Sequence, residues 1–166
     1  MERQLAKAEG HSLYAKLAAR VNRLSNTERV SSEELRWLLR EGGEREPRKV
    51  LERAKGEGYS LVISVDCGIR AFEPLEWARA NGLDVIITDH HLPDDAEGAP
   101  PAYAVLNPNQ KGCAYPDKNL AGVGVAFKLA HALFRERGRE NLMPGFLKVV
   151  AIGTVADVAQ LTGENR

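Results

Sequence analysis

"LDVIITDHHLP", residues 83–93, runs β-branched and apolar residues straight into an aspartate and two adjacent histidines, and a proline closes it. The apolar positions are continuous rather than alternating. That is the pattern of a strand covered on both faces, as in a parallel sheet. The chain has four histidines, and two of them stand side by side here. Two imidazoles at a strand end have no capping task, so Asp89, His90 and His91 point to a metal site.

Working outward, "YSLVISVD" (59–66) is a second buried run, and residues 70–81 between the two read as a helix. Ala71, Leu75 and Ala78 face inward, and Asn81-Gly82 stops it. Strand, helix and strand with short links form a βαβ unit, whose crossover is expected to be right-handed. "AYAVLNP" (102–108) is a third candidate strand, shut by Pro108. Pro47 opens a helix over 47–56, and Gly122–Arg137 is a long helix. Residues 144–153 read as another helix, with strand as the alternative because of Val149, Val150 and Ile152. Upstream, Leu13, Leu17, Val21 and Leu24 make one stripe of an amphipathic helix over 2–24. A further helix is capped by Ser31 or Ser32 and stopped at Gly42-Gly43. The expected organisation is a helical N-terminal segment, 1–46, and an α/β core, 47–166, with a parallel sheet and flanking helices.

Composition narrows the class without naming a partner. The 166 residues are 43% hydrophobic and 28% charged, ordinary for a soluble globular protein. Lys plus Arg equals Asp plus Glu, 23 of each, so net charge gives no sign of a polyanionic partner. Residues 1–30 hold six basic against three acidic residues, which a solvated helix face explains as well as nucleic acid does. Cys67 and Cys113 lie far apart and in no metal-binding spacing, which fits a reducing compartment. With no apolar leader at its start, the expected location is the cytoplasm.

In open parallel sheets, ligands sit beyond the carboxyl ends of the strands. Asp66 ends one strand and Asp89-His90-His91 ends the next, about 4.8 Å away if the strands are neighbours. Mixed carboxylate and imidazole ligation suits Mn²⁺, Fe²⁺, Co²⁺ or Zn²⁺ better than Ca²⁺. Asp89 could accept the second N–H of a ligating imidazole and fix its tautomer. Taken alone, Asp66 reads first as a helix cap, and Asp157 in "AIGTVADVAQL" reads the same way, as a lone acid among small apolar residues. Gly122 and Gly124 in "LAGVGVAFKLAHAL" stand at a helix entrance, where backbone N–H groups could bind phosphate or two elements could pack closely. The preceding Asp117-Lys118-Asn119 and the missing third glycine exclude a dinucleotide fingerprint. His11 and His131 read as surface or packing residues.

"LVISVDCG", "VIITDHHLP", "LAGVGVAFKLAHAL" and "AIGTVADV" stand in the order and spacing of the DHH phosphoesterases, and "VLNPNQ" is similar to that family as well. The chain resembles the family from about residue 50 to its end, most closely the bacterial 5′-to-3′ exonucleases specific for single-stranded DNA. The resemblance implies Mn²⁺ (with Mg²⁺ as a substitute), single-stranded DNA as substrate, and a role in DNA repair and recombination. It makes Asp66, His90 and Asp157 metal ligands, Asp89 a support for His90, and His91 the group facing the scissile phosphate or its leaving group. It also implies an Asp-x-Asp strand ahead of Asp66, yet residues 1–60 contain no aspartate. Glu44 and Glu46 are poor substitutes. The family's second domain has no counterpart before Arg166. The expectation is therefore an incomplete site holding one ion of two, with activity near background. A non-catalytic nucleic-acid or partner-binding module, and a phosphoesterase of small substrates such as oligonucleotides, cyclic dinucleotides or pyrophosphate, are the other readings.

Overall fold

The computed structural model describes residues 47–94 and 98–166. The helices expected over 2–24 and after Ser31, together with His11, Glu44 and Glu46, lie outside the described residues. Helix α1 (Pro47–Gly56) is followed by β1 (Leu61–Val65), α2 (Phe72–Ala80), β2 (Asp84–Thr88), β3 (Ala104–Leu106) and α3 (Gly122–Glu136). A 3-10 segment, Glu140–Phe146, leads into α4 (Leu147–Ala156), and a short 3-10 turn, Gly163–Asn165, closes the chain. The sheet is parallel throughout, in the order β1-β2-β3. The fold is thus the α/β class expected, with each strand a residue or two shorter at its ends than the apolar run containing it.

β2 is the central strand, and its side chains divide between two cores because successive residues point to opposite faces. Val85 and Ile87 pack with Leu51 of α1 and with Leu75 and Ala78 of α2. Ile86 packs with Ala104 and Leu106 of β3, with Leu120, and with Val125 and Leu129 of α3. Ile86 and Ile87 are both fully buried, as a continuous apolar strand requires. Arg48 ties α1 to α2 through Glu73, and its guanidinium lies 5.2 Å from the Trp77 ring centre. Among the described residues no helix is long and apolar enough to cross a membrane.

The helix expected over 144–153 forms, but displaced. Pro144 lies inside the 3-10 segment rather than opening the α-helix, which starts at Leu147. The α-helix also runs past Gly153, because that glycine packs against α3. A Cβ there would come within 2.9 Å of Val123 Cγ1. Asp157 is the residue at the C-terminal boundary of α4. The closing turn braces the entrance of α3, where the side chain of Asn165 accepts from Ala121 N–H at 3.1 Å and donates to Asn119 O at 2.6 Å.

Candidate metal centre

Register builds the centre. Val65 pairs with Thr88, and Thr88 with Leu106, so Asp66, Asp89 and Asn107 are the next residues on three adjacent strands. Backbone bonds extend the ladder to that rim: Asp66 N–H donates to Thr88 O at 2.8 Å and Asp89 N–H to Leu106 O at 3.0 Å. Asp66 then turns sharply, with φ at 63°. Non-glycine residues seldom adopt this left-handed conformation, and such strain collects at functional sites. Asp66 caps nothing, since the residue at the start of α2 is Ala71 and no side chain caps it.

The turn brings the Asp66 carboxylate to His90 and over the entrance of α3. His90 Nε2 lies 3.1 Å from Asp66 Oδ1 and 3.4 Å from Asp157 Oδ2. That nitrogen is inaccessible to solvent, yet it makes no hydrogen bond of acceptable direction to either carboxylate. A buried, unsatisfied polar atom between two anionic groups needs explaining. Two ligand atoms each about 2.1 Å from a shared ion and about a right angle apart stand roughly 3.0 Å from each other. The donor chemistry therefore fits a divalent cation: an imidazole nitrogen stands from each of two carboxylates about as far as one ligand of an ion stands from another. The ligating atoms of Asp66, His90 and His91 also converge within 4.8 Å of one another.

Asp89 plays a different part from its two histidine neighbours. It is fully buried, and its Oδ1 accepts from His90 N–H at 2.7 Å, His91 N–H at 3.1 Å and His91 Nδ1 at 2.7 Å. Its Oδ2 accepts from Ile69 N–H at 2.9 Å. Burial alone would push its pKa up, but these hydrogen bonds outweigh it and hold the carboxyl below its usual range. An ionised carboxylate only accepts, so the shared hydrogen belongs to His91 Nδ1. The hydrogen bond to Asp89 raises the His91 pKa against the opposing effect of burial, helped by the charges of Asp89, Asp66 and Asp157. The sequence expectation placed Asp89 behind His90; its side chain in fact holds the ring of His91 and meets His90 through the backbone N–H.

Gly122 and Gly124 are buried at the start of α3. A Cβ on Gly122 would come to 2.7 Å from Asp66 Cγ, and one on Gly124 would meet the Leu120 side chain at 2.7 Å. The anionic group over this helix entrance is thus the Asp66 carboxylate itself. His131, on the outer part of α3, is paired with Glu140 at 2.6 Å. Two residues not singled out from the sequence belong to the site. Asn107 Nδ2 donates to His91 O at 2.8 Å, and Asn109 Nδ2 donates to His90 O at 2.7 Å. Their sequence signal was two asparagines around a proline, directly after a strand that ends at the same rim as Asp66 and Asp89.

Residues 5–154 match a family model described as the DHH family, N-terminal domain. The chain belongs to the DHH family. The match to this DHH domain starts well ahead of the stretch from about residue 50 that carried the resemblance. The single-stranded-DNA-specific exonuclease RecJ of Bacillus subtilis is 52% identical over 112 residues, covering 68% of this chain and 13% of its own length. RecJ of Escherichia coli is 44% identical over 128 residues, covering 71% of this chain and 22% of its own length. The matched part of this DHH chain thus spans less than a quarter of the length of each of those relatives. The crystal structure of RecJ in complex with Mn²⁺ from Thermus thermophilus superposes with a TM-score of 0.54 at 38% identity. It covers 70% of this chain and 17% of that one. The parallel α/β fold is shared with RecJ.

Proposed function

We propose that the chain is the cation-binding part of a RecJ-like exonuclease that hydrolyses single-stranded DNA from the 5′ end in repair and recombination. The observation that carries this reading is His90 Nε2, buried between Asp66 and Asp157 without a hydrogen bond. The identity to RecJ proteins specific for single-stranded DNA, and the manganese in the RecJ crystal structure, support DNA as substrate and Mn²⁺ as the ion.

Asp66, His90 and Asp157 would hold the ion. Divalent cations supply charge neutralisation at the phosphate and acidify water. The remaining tasks fall to the protein. Asp89 fixes the backbone of both histidines and keeps the hydrogen of His91 on Nδ1, which leaves His91 Nε2 for the substrate. Because the hydrogen bond to Asp89 favours the protonated ring, His91 can pass a proton from Nε2 to the departing sugar oxygen. Asp66 reaches His90 from a strand end, and Asp157 reaches it from the end of α4. Among the described residues these three side chains account for one ion. The chain by itself is therefore expected to cleave DNA near background rate, since each tenfold loss corresponds to about 1.4 kcal/mol of barrier.

Calorimetric titration of Mn²⁺ into the chain, with His90→Ala beside it, tests the reading. One ion bound by the parent and lost in the variant is the expected result. Equal binding in both would remove His90 from the site and the reading with it. Appreciable metal-dependent hydrolysis of single-stranded DNA that disappears in Asp66→Ala would overturn the expectation of near-background activity.

A further inference from the structure

We propose that Asn107 and Asn109 are positioning residues for the histidine pair, acting on the two rings through the main chain. The inference rests on reading Asp66, His90 and Asp157 as a cation site. Residues 90–92 belong to no helix or strand, so their carbonyl groups have no ladder partners. Each of the three is nevertheless held by a side chain from elsewhere. Asn109 Nδ2 donates to His90 O at 2.7 Å, Asn107 Nδ2 to His91 O at 2.8 Å, and Arg70 Nε to Leu92 O at 3.0 Å.

The two asparagines also hold each other in place. Asn107 is 3% exposed, and its Oδ1 accepts from Asn109 N–H at 2.7 Å, so both ends of its amide are committed. That pattern settles which end of the amide is oxygen and which nitrogen. Asp89 Oδ1 accepts from His90 N–H and His91 N–H, so the peptide between the two histidines is held at both its carbonyl and its N–H. Asp89 grips the N–H groups and the asparagines grip the carbonyls. Backbone rotation at His90 and His91 is thereby blocked from both sides, and with it the direction in which each Cβ leaves the chain. His90 Nε2 has two carboxylates to meet at 3.1 and 3.4 Å, a tolerance that a small backbone rotation would exceed. Groups that orient ligands from behind commonly change metal affinity about tenfold to a hundredfold when removed.

The test compares Asn109→Ala and Asn107→Ala with the parent chain and with Asn81→Ala, which removes a side chain bonded to Trp77 O at 2.8 Å on α2, away from the rim. Two quantities are read: the Mn²⁺ dissociation constant by calorimetry, and, in metal-free protein, the low-field NMR signal of the His91 Nδ1 proton held by Asp89. Each asparagine variant is expected to weaken Mn²⁺ binding about tenfold or more and to lose the ring proton to exchange. Asn81→Ala should change neither. If Asn107→Ala fails to fold, the half-buried Asn109 still decides the matter. Retention of parent affinity and of the ring proton in Asn109→Ala would overturn the proposal. If the parent binds no Mn²⁺, the cation reading fails separately, and the ring proton alone judges the clamp. Its loss in Asn109→Ala would uphold the clamp and its retention would overturn it.

Discussion

The carboxylate of Asp66 lies directly over Gly122, with its Cγ 2.7 Å from where a Cβ on that glycine would stand. No real side chain tolerates that approach, and Asp66 cannot retreat easily from a left-handed backbone on a strand end. Gly122→Ala is therefore expected to displace Asp66 from His90, weaken Mn²⁺ binding at least tenfold, and destabilise the fold by about 1–3 kcal/mol. Gly56→Ala, at a glycine with nothing within 4 Å of an added Cβ, is the control. If Gly122→Ala melts and binds Mn²⁺ like the control, the contact with Asp66 does not matter.

Asp89 is the point on which the histidine turn hangs, because three backbone N–H groups, from Ile69, His90 and His91, converge on it. Asp89→Ala would leave these donors without their acceptor in a buried place and remove the partner of the His91 ring. The expected loss is about 3–5 kcal/mol, among the largest for any single polar substitution here. Denaturant unfolding of the metal-free chain measures it. A loss near 1 kcal/mol would mean that water or a rearranged loop satisfies these donors.

The same pair sets a pH dependence with two edges. The His91 pKa is raised in the fold, so its contribution is complete below about 6.5 and fades as pH rises through the folded value. The Asp89 pKa is lowered, so its contribution is present above about 3.9 and is lost as pH falls through its folded value. Metal-free protein should be most stable between these edges. Asp89→Asn should remove the acid edge with Asp89's own titration, and shrink the upper edge, since His91 then keeps only the charges of Asp66 and Asp157. A melting temperature that varies with pH identically in parent and variant would contradict this.

How much of this was legible depends on the distance over which each feature is decided. The β2 strand and its Asp-His-His end are written in consecutive residues, and the fold follows from "LDVIITD" and "YSLVISVD" being buried on both faces. The shared rim follows from strand adjacency, which short links favour. The departures lie where distant segments meet. Nothing local says that Asp66 adopts φ of 63°, since only the proximity of α3 and His90 gives it a reason to. The ambiguity of Gly122 between phosphate binding and close packing could not be resolved without knowing which side chain would stand above it. Asn107 and Asn109 carry no signal of their own, because an asparagine beside a proline after a strand is ordinary turn chemistry. Their bonds run to His90 and His91, sixteen or more residues back.

Helix α4 delivers Asp157, and Gly153 governs where that helix lies. A Cβ on Gly153 would stand 2.9 to 3.1 Å from three atoms of Val123, a stiff side chain near the start of α3. Gly153→Ala must push α4 away from α3, and Asp157 one turn further along should move with it. The expected result is a loss of about 1–3 kcal/mol in stability and weaker Mn²⁺ binding, although residue 153 meets Asp157 through the backbone, whose N–H donates to Gly153 O at 3.0 Å, and not at its carboxylate. Trimming the obstacle separates the cause from any general effect of the alanine. In Gly153→Ala with Val123→Ala, α4 can return, and Mn²⁺ affinity should recover toward that of Val123→Ala alone, a coupling of about 1 kcal/mol or more. Strict additivity of the two substitutions in Mn²⁺ affinity would show that the helix contact does not place Asp157. Asp157→Asn supplies the reference, since a Gly153→Ala defect that acts through Asp157 should add little once that carboxylate is gone.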